Sequence, residues 1–558
     1  MDRRLAQAAC AFVVCVVLGA EGWAAEGRYR TQAVPKVTKE KPIASAACYS
    51  CHDVIQELHG KGKHAKVGCA NCHSGLAKHI ADPGPESRPV TDVSWEACGA
   101  CHKEQYDSFM KEAYHRPARD EKSQLTGRAP NPFWDKLMMG HGFTKEHATT
   151  RSHNWMLIDH LVVDRAYGGR FQGKKGWNYI LERGKAWDVL EDRYPATKEH
   201  KPFLRQSAAA ANPVCLQCKT QDNILGWAYM GDPVQGVDWS RKSNVVELAR
   251  SSQYGLNCFT CHDPHAARPR IVRDGLIEAL TRLDGDTLWH RDPKRTTFKV
   301  IDMGLRGFVR KIAILDKYDT RLQCGQCHVE YNCNPGYDPK NADLSKYSVT
   351  MDDRRTNHFP YKDVLELYDH YKNKLSFLDF KHGLTGGLLW KAQHAEAETY
   401  YESKHAKAGV GCDGCHLPRL KGRTGKGFTS HFAVTPRVQL KETCLACHKK
   451  WTEEQARYSI DSVKAFVRGK MRKAEFWLDV LIDAIGEAKK ANVSPAVIRE
   501  AQEQHLKGHI LWEYWTAENS DGFHNPELAR ESLTKSIDES QKGIELLKKA
   551  MAEKVASR

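Results

Sequence analysis

Apolar residues recur at helical spacing most clearly in the last hundred residues of the chain. Phe476, Trp477, Val480, Leu481, Ala484 and Ile485 share one face of a 3.6-residue period. Ser494-Pro495 offers a serine N-cap with proline at the first helical position, and Asn525-Pro526 repeats the device. The helix predicted after Asn525 carries Leu533, Ile537, Ile544, Leu547 and Met551 on one stripe, with Ser540 in the gap. That stripe suits packing on a partner helix, and equally packing on the core of its own chain. Few stretches alternate as strands do. The pattern therefore predicts a mostly α fold with little β and long C-terminal helices. At the other end, Arg3 and Arg4 precede an apolar run from Ala6 to Ala20, and Ala24 and Ala25 offer a cleavage site. Residues 1–25 read as a secretory signal, with a short membrane anchor as the alternative. The exported protein is expected in the periplasm.

The 558 residues, 41% hydrophobic and 27% charged, suit two or three globular domains and exclude a disordered, collagen-like or polytopic membrane chain. The 19 cysteines decide the class. Sixteen form eight C-x-x-C pairs: Cys48/Cys51, Cys69/Cys72, Cys98/Cys101, Cys215/Cys218, Cys258/Cys261, Cys324/Cys327, Cys412/Cys415 and Cys444/Cys447. Seven continue to C-x-x-C-H, ending in His52, His73, His102, His262, His328, His416 and His448. This is the attachment signature of c-type haem. Two thiols at this spacing reach the two vinyl groups on one porphyrin edge, and the next side chain swings beneath the iron. Zinc sites give no reason for a histidine after every second cysteine, and iron–sulfur clusters need four thiolates each. The fold expected is a multihaem cytochrome c whose haems form much of the core.

The eighth pair breaks the rule, because Cys218 is followed by Lys219. A lysine ligates iron only as a neutral amine. The pair is either a haem with Lys219 below and an open face above, or a site without haem. Haems with histidine on both sides are wires, whereas a lysine haem with a vacant position is a catalyst. The chain has 27 histidines, enough to cap seven wires twice. Eight haems would also bring about sixteen propionates, which accounts for the net charge of +15 better than nucleic acid does.

From about Arg151 to Asn525 the sequence resembles the pentahaem cytochrome c nitrite reductases, which form ammonia. With three further haem motifs in front, the mature chain resembles the octahaem nitrite reductases. The resemblance implies a signal peptide over 1–25, an N-terminal trihaem domain over 26–140, a catalytic domain over 141–450 and a C-terminal long-helix region over 451–558. It implies eight covalent haems and a calcium ion, nitrite as substrate with hydroxylamine and sulfite as further ones, a periplasmic or membrane-bound electron donor, and a homo-oligomer. Arg151-Ser152-His153 opens a segment reaching Arg165, at the family's substrate-binding arginine. Cys327-His328-Val329-Glu330-Tyr331 matches C-H-V-E-Y and places Tyr331 as the active-site tyrosine. Lys391-Ala392-Gln393-His394-Ala395-Glu396 matches K-x-Q-H-P-E, with alanine for proline, and places His394. Calcium would then take the side chains of Glu330 and Gln393 and the carbonyls of Tyr331 and Lys391.

For the distal ligands the resemblance implies His153 over the Cys324/Cys327 haem, His405 over Cys444/Cys447, His431 over Cys258/Cys261 and His524 over Cys412/Cys415. His64, His79 and His115 are nominated for the three N-terminal haems, with His59 in reserve. Lys63-His64-Ala65-Lys66 before Cys69 echoes Lys404-His405-Ala406-Lys407 before Cys412, which suggests similar jobs. Cys333 is the one unpaired cysteine beyond the leader, two residues after Tyr331. The resemblance implies a Tyr331–Cys333 thioether, and the alternative is a buried free thiol. Two rival functions stay open, a hydroxylamine-oxidising octahaem enzyme and an electron conduit without catalysis. Lys219 argues against the first, whose active haem keeps histidine, and a vacant iron would serve no purpose in the second.

Overall fold

A computed structural model describes residues 37–111, 133–141, 152–163, 170–175, 185–197 and 212–556, apart from 225, 284, 295, 304–307 and 318. The predicted leader lies outside these residues. The structure is 48% helical with 9% strand. None of its described helices is long and apolar enough to cross a membrane.

Three long helices, α1 (Glu453–Lys490), α2 (Pro495–Ala517) and α3 (Pro526–Ala556), form the C-terminal bundle. Each starts on the cap its sequence offers. Thr452 and Gln455 make a reciprocal capping box on α1, Ser494 Oγ accepts from Val497 N on α2, and Asn525 Oδ1 accepts from Leu528 N on α3. Leu533, Ile544 and Leu547 are buried among residues of α1 and α2, so the stripe on α3 packs within its own chain. Phe476 is the exception on α1, since it faces outward. The polar gap at Ser540 marks the closest approach of α2 and α3. Ser536 Oγ donates to Gly508 O across the contact, and Ser540 Oγ donates back to Ser536 O. A β-carbon on Gly508 would meet Ser540 Oγ at 3.1 Å and Ser536 O at 3.2 Å.

The middle of the chain holds a four-stranded antiparallel sheet of β1 (His262–Asp263), β2 (Arg268–Ile271), β3 (Phe298–Asp302) and β4 (Lys311–Leu315), in the order β1-β2-β4-β3. Strand β4 lies inside the sheet and is covered on both faces, which is why Ile312–Leu315 is continuously apolar instead of alternating. Most cysteine pairs sit on helices of four or five residues. Helices this short do not stand alone in water. Side-chain caps start several of them: Ser94, Asn212, Asn257 and Asp319 each accept a backbone N–H just ahead. Residues 37–111 bury only Leu58, Leu76 and Trp95 among large apolar side chains. That segment has no apolar core of its own size, so covalent or metal staples must hold it.

Gly508→Leu should cost about 1–3 kcal/mol by overpacking the α2–α3 contact. A thermal melt of the holoprotein at fixed pH checks this, and an unchanged midpoint contradicts the packing described.

Candidate haem-binding and catalytic site

Two imidazoles bound to opposite sides of one iron, each at about 2 Å, hold their ring centroids about 6 Å apart. Each of the seven histidines that end a C-x-x-C-H motif has another histidine at that distance. The pairs are His52–His79 at 6.1 Å, His64–His102 at 6.0 Å, His73–His265 at 6.2 Å, His153–His328 at 6.5 Å, His262–His431 at 6.2 Å, His405–His448 at 6.3 Å and His416–His524 at 6.4 Å.

Nδ1 is occupied on many of these rings, which leaves Nε2 for a metal. It meets the Pro264, Val434 and Thr429 carbonyls from His64, His416 and His431 at 2.7, 2.8 and 2.9 Å. It meets Thr91 Oγ1 from His73 and Ser87 Oγ from His79. His524 Nδ1 lies 2.7 Å from Glu518 Oε1, and Glu518 Oε2 also gathers Ser520 N, Ser520 Oγ and Gly522 N. Gly522 has φ +78°, and a β-carbon there would strike Val467. That tight turn aims His524 at His416. His328 Nδ1 stands 3.4 Å from the Glu396 carboxylate. The donor set, its spacing and its tautomer control all fit haem iron.

The cysteines order the pairs in space. Cys48 and Cys69 sulfurs lie 3.8 Å apart. Thiols also meet at Cys98–Cys258, Cys218–Cys327 and Cys324–Cys412. Gln323 donates to the Cys261 carbonyl. The Cys324/Cys327 pair is thus a junction touching the pairs of Cys215, Cys258 and Cys412.

Three attachment cysteines are less covered by the polypeptide than their pair partners. Cys51, Cys101 and Cys447 are exposed, whereas their pair partners Cys48, Cys98 and Cys444 are half-buried. Two causes are local. Each of the three stands at or beyond the C-terminal end of the short helix that carries its pair, where the chain turns outward. Each also belongs to a region with little apolar cover. Cys51 and Cys101 lie in the poorly packed segment 37–111, and Cys444/Cys447 adjoins only the small cluster of Leu440, Ala456 and Ile460. A thioether forms at a porphyrin edge, so an exposed thiol is suited to a haem whose vinyl edge lies at the surface.

At the eighth pair Lys219 is half-buried, and its ammonium forms no hydrogen bond or ion pair with another described residue. Beside it Tyr331 is buried, its ring stacked on Phe359 with centroids 5.3 Å apart. The Arg273 guanidinium carbon lies 5.2 Å from both ring centroids. Burial pushes the Tyr331 phenol well above its ordinary range. Cys333 is buried against Cys215, and Gln393 Nε2 lies 3.7 Å from its sulfur. Half-buried His394 has Nδ1 3.5 Å from the Asn519 amide. Lys219, Tyr331, Gln393 and Cys333 are therefore gathered around one cysteine pair. Arg165 and His115 lie outside the described residues.

The Cytochrome c552 family profile matches residues 167–558. The chain belongs to that family. It is 26% identical over 455 residues to the cytochrome c nitrite reductase subunit NrfA of Nitratidesulfovibrio vulgaris strain Hildenborough, covering 76% of this chain and 70% of the relative. It is 26% identical over 472 residues to cytochrome c-552 of Haemophilus influenzae strain Rd, covering 83% and 75%. In fold it is similar to the catalytic subunit of cytochrome c nitrite reductase from Desulfovibrio desulfuricans, a structure described for its two calcium sites. The TM-score is 0.56, with 22% identity over 83% of this chain and 88% of that one.

The residues nominated for calcium sit in a buried acidic pocket of this cytochrome c552 chain. Glu330 is fully buried, with Oε2 2.7 Å from Gln393 N, and Glu330 N donates to Glu398 Oε1 at 3.0 Å. Burial, and then each other's charge and that of Asp379, raise Glu330 well above the usual carboxylate range. Burial lifts Asp379 to about 7 against the pull of Lys391. Glu398 Oε2 has no hydrogen-bond partner. Among the described residues no three His, Cys, Asp or Glu side chains are placed to hold a metal. One carboxylate, one amide and two carbonyls need no such cluster, and a hard cation would relieve the crowded acids. Behind the loop, Glu513 accepts Ala392 N at 2.9 Å and lies 2.7 Å from His141 Nε2 and 2.5 Å from His509 Nε2. This brace under the Lys391–Gln393 segment was invisible in the sequence, where His141, His509 and Glu513 share no motif.

The histidine that faces His73 is not among His64, His79 and His115, the three nominated together for the N-terminal haems, and His115 lies outside the described residues. His265 faces His73, with its ring plane tilted 10° from that of His73. His59, the reserve, is occupied elsewhere, by Tyr49 Oη at 2.6 Å and the Val67 carbonyl at 3.0 Å. The K-H-A-K echo has a spatial counterpart. His64 and His405 each face the motif after the nearest one, His102 and His448.

His265→Ala should convert one low-spin ferric haem to high spin in the EPR spectrum, whereas His59→Ala should not. The same conversion in His115→Ala, with His265→Ala silent, would contradict the pairing.

Proposed function

We propose that this cytochrome c552 family member is a periplasmic octahaem c-type cytochrome that reduces nitrite to ammonium at a haem held by Cys215, Cys218 and Lys219. The observation that carries the reading is the contrast among the eight pairs. Seven motif histidines each face a second imidazole, while the Cys215/Cys218 pair ahead of Lys219 lies beside the buried Tyr331. The relative from Nitratidesulfovibrio vulgaris supports it, being a cytochrome c nitrite reductase subunit.

The balance is NO₂⁻ + 8 H⁺ + 6 e⁻ → NH₄⁺ + 2 H₂O. Bound haems supply the electrons and an open coordination position for the substrate nitrogen. The chain's own residues supply charge, position and protons. Arg165 and protonated His394 draw in the anion and hold its oxygens. Tyr331 Oη and the His394 imidazole hand on protons as the N–O bonds break. Half-buried His394 reaches solvent where Tyr331 does not, so it is the point of proton entry. Calcium at Glu330, Gln393 and the Tyr331 and Lys391 carbonyls stiffens the loop that carries Tyr331. Glu513 fixes the same loop from behind. Hydroxylamine and sulfite are further substrates of the site, residues 26–140 form an N-terminal trihaem domain, and the chain assembles as a homo-oligomer fed by a periplasmic or membrane-bound donor.

Lys219→His should lower the ammonium yield from nitrite with a reduced dye by about tenfold or more while keeping the haem content. Wild-type ammonium yield from the histidine variant, or none from wild type, contradicts the assignment. A Tyr331–Cys333 thioether replaces an S–H and a ring C–H with one C–S bond and releases two protons and two electrons, the electrons going to two oxidised haems. The peptide carrying both residues should therefore weigh two hydrogens less than its calculated mass, and full mass removes the crosslink.

A further inference from the structure

Arg273 is 1% exposed, so its charge is removed from water. Nη1 donates to the Val214 carbonyl at 3.3 Å. Nε and Nη2 have no hydrogen-bond partner, and no carboxylate lies within salt-bridge distance among the described residues. The adjacent Asp274 gives one oxygen to Gly275 N at 2.9 Å and stays outside that distance. The groups the guanidinium faces are the Tyr331 and Phe359 rings and the Cys218 and Cys327 sulfurs. In the haem-loaded protein those sulfurs are neutral thioethers. Among the described residues no carboxylate pairs with this cation.

A buried unpaired charge costs several kcal/mol, and replacing it with an apolar side chain of similar size commonly stabilises a protein. Retention of an arginine here calls for an anion. The unpartnered atoms are informative. Nε and Nη2 form one edge of the guanidinium plane, whose two parallel N–H bonds match two oxygens on one planar centre. A lysine would neutralise charge at this position but could not present that fork.

We infer that the Nε/Nη2 edge of Arg273 binds a planar two-oxygen anion beside Tyr331. Two sources share this chemistry, nitrite on its way to the lysine pair and a carboxylate of a bound haem. The inference rests on the haem-loaded, nitrite-reducing reading above, but its stability and potential readouts do not require nitrite turnover.

The test uses holoenzyme with Arg273→Met and Arg273→Lys. Three quantities are read: the thermal midpoint without nitrite, the haem midpoint potentials by spectropotentiometry, and nitrite affinity from visible spectra of the oxidised protein. With a haem carboxylate as the anion, Arg273→Met melts lower and at least one potential falls, because a negative charge loses its counter-ion. Nitrite affinity then stays as in wild type. With nitrite as the anion, Arg273→Met is as stable as wild type or more so, the potentials hold, and nitrite binds about tenfold or more weakly. Arg273→Lys falls between, since it keeps charge and loses the fork. Unchanged potentials and unchanged nitrite affinity in the methionine variant overturn the inference. If the methionine variant does not assemble, the lysine variant decides by the same two readouts. If wild type makes no ammonium from nitrite, the proposed function fails while the stability and potential readouts still judge Arg273.

Discussion

An iron held between two imidazoles fixes a distance, and that distance organises this chain. Seven histidine pairs, each with centroids between 6.0 and 6.5 Å apart, come from turns, helix ends and loops that share little else. His73 and His265 are 192 positions apart and His416 and His524 are 108 apart, yet both pairs keep the same gap. The short helices bearing the cysteines could not hold such spacing by themselves. Carbonyls, hydroxyls and carboxylates on the Nδ1 side orient many of these rings and leave Nε2 for a metal.

This arrangement divides the molecule by its source of stability. The C-terminal bundle has capped helices and large apolar cores and needs no cofactor to explain it. Residues 37–111 bury three large apolar side chains, and are tied to the rest by polar contacts such as Trp95 Nε1 to Leu256 O and His64 Nδ1 to Pro264 O. The same segment gives Cys51 and Cys101 little cover from the polypeptide itself. Between these extremes lies the Cys324/Cys327 junction. The lysine pair touches it through Cys218–Cys327, so the one aberrant site stands a single sulfur contact from a pair that meets two others.

The attachment motifs and the long helices were legible because their chemistry is local: two cysteines and a histidine within five residues, or a cap followed by a 3.6-residue period. Which attachment cysteines would be covered was not legible, since exposed Cys447 and buried Cys218 belong to the same C-x-x-C pattern. His524 was reached through the family resemblance. His265 was not. It lies three residues after His262, belongs to that motif in sequence, and serves His73 in space. The sheet was legible only in hindsight, since its central strand is covered on both faces and does not alternate. The acidic pocket around Glu330 came from resemblance alone, and the Arg273 fork and the His141–Glu513–His509 brace have no sequence signature. Their meaning arises from burial, which residue order does not encode.

The central claim is that seven irons are closed on both faces and one, above Lys219, is open. Carbon monoxide added to the fully reduced protein measures it most directly. The account predicts eight haems per chain and binding of one carbon monoxide, lost when the lysine pair is removed. Binding of none, or of several, would contradict it.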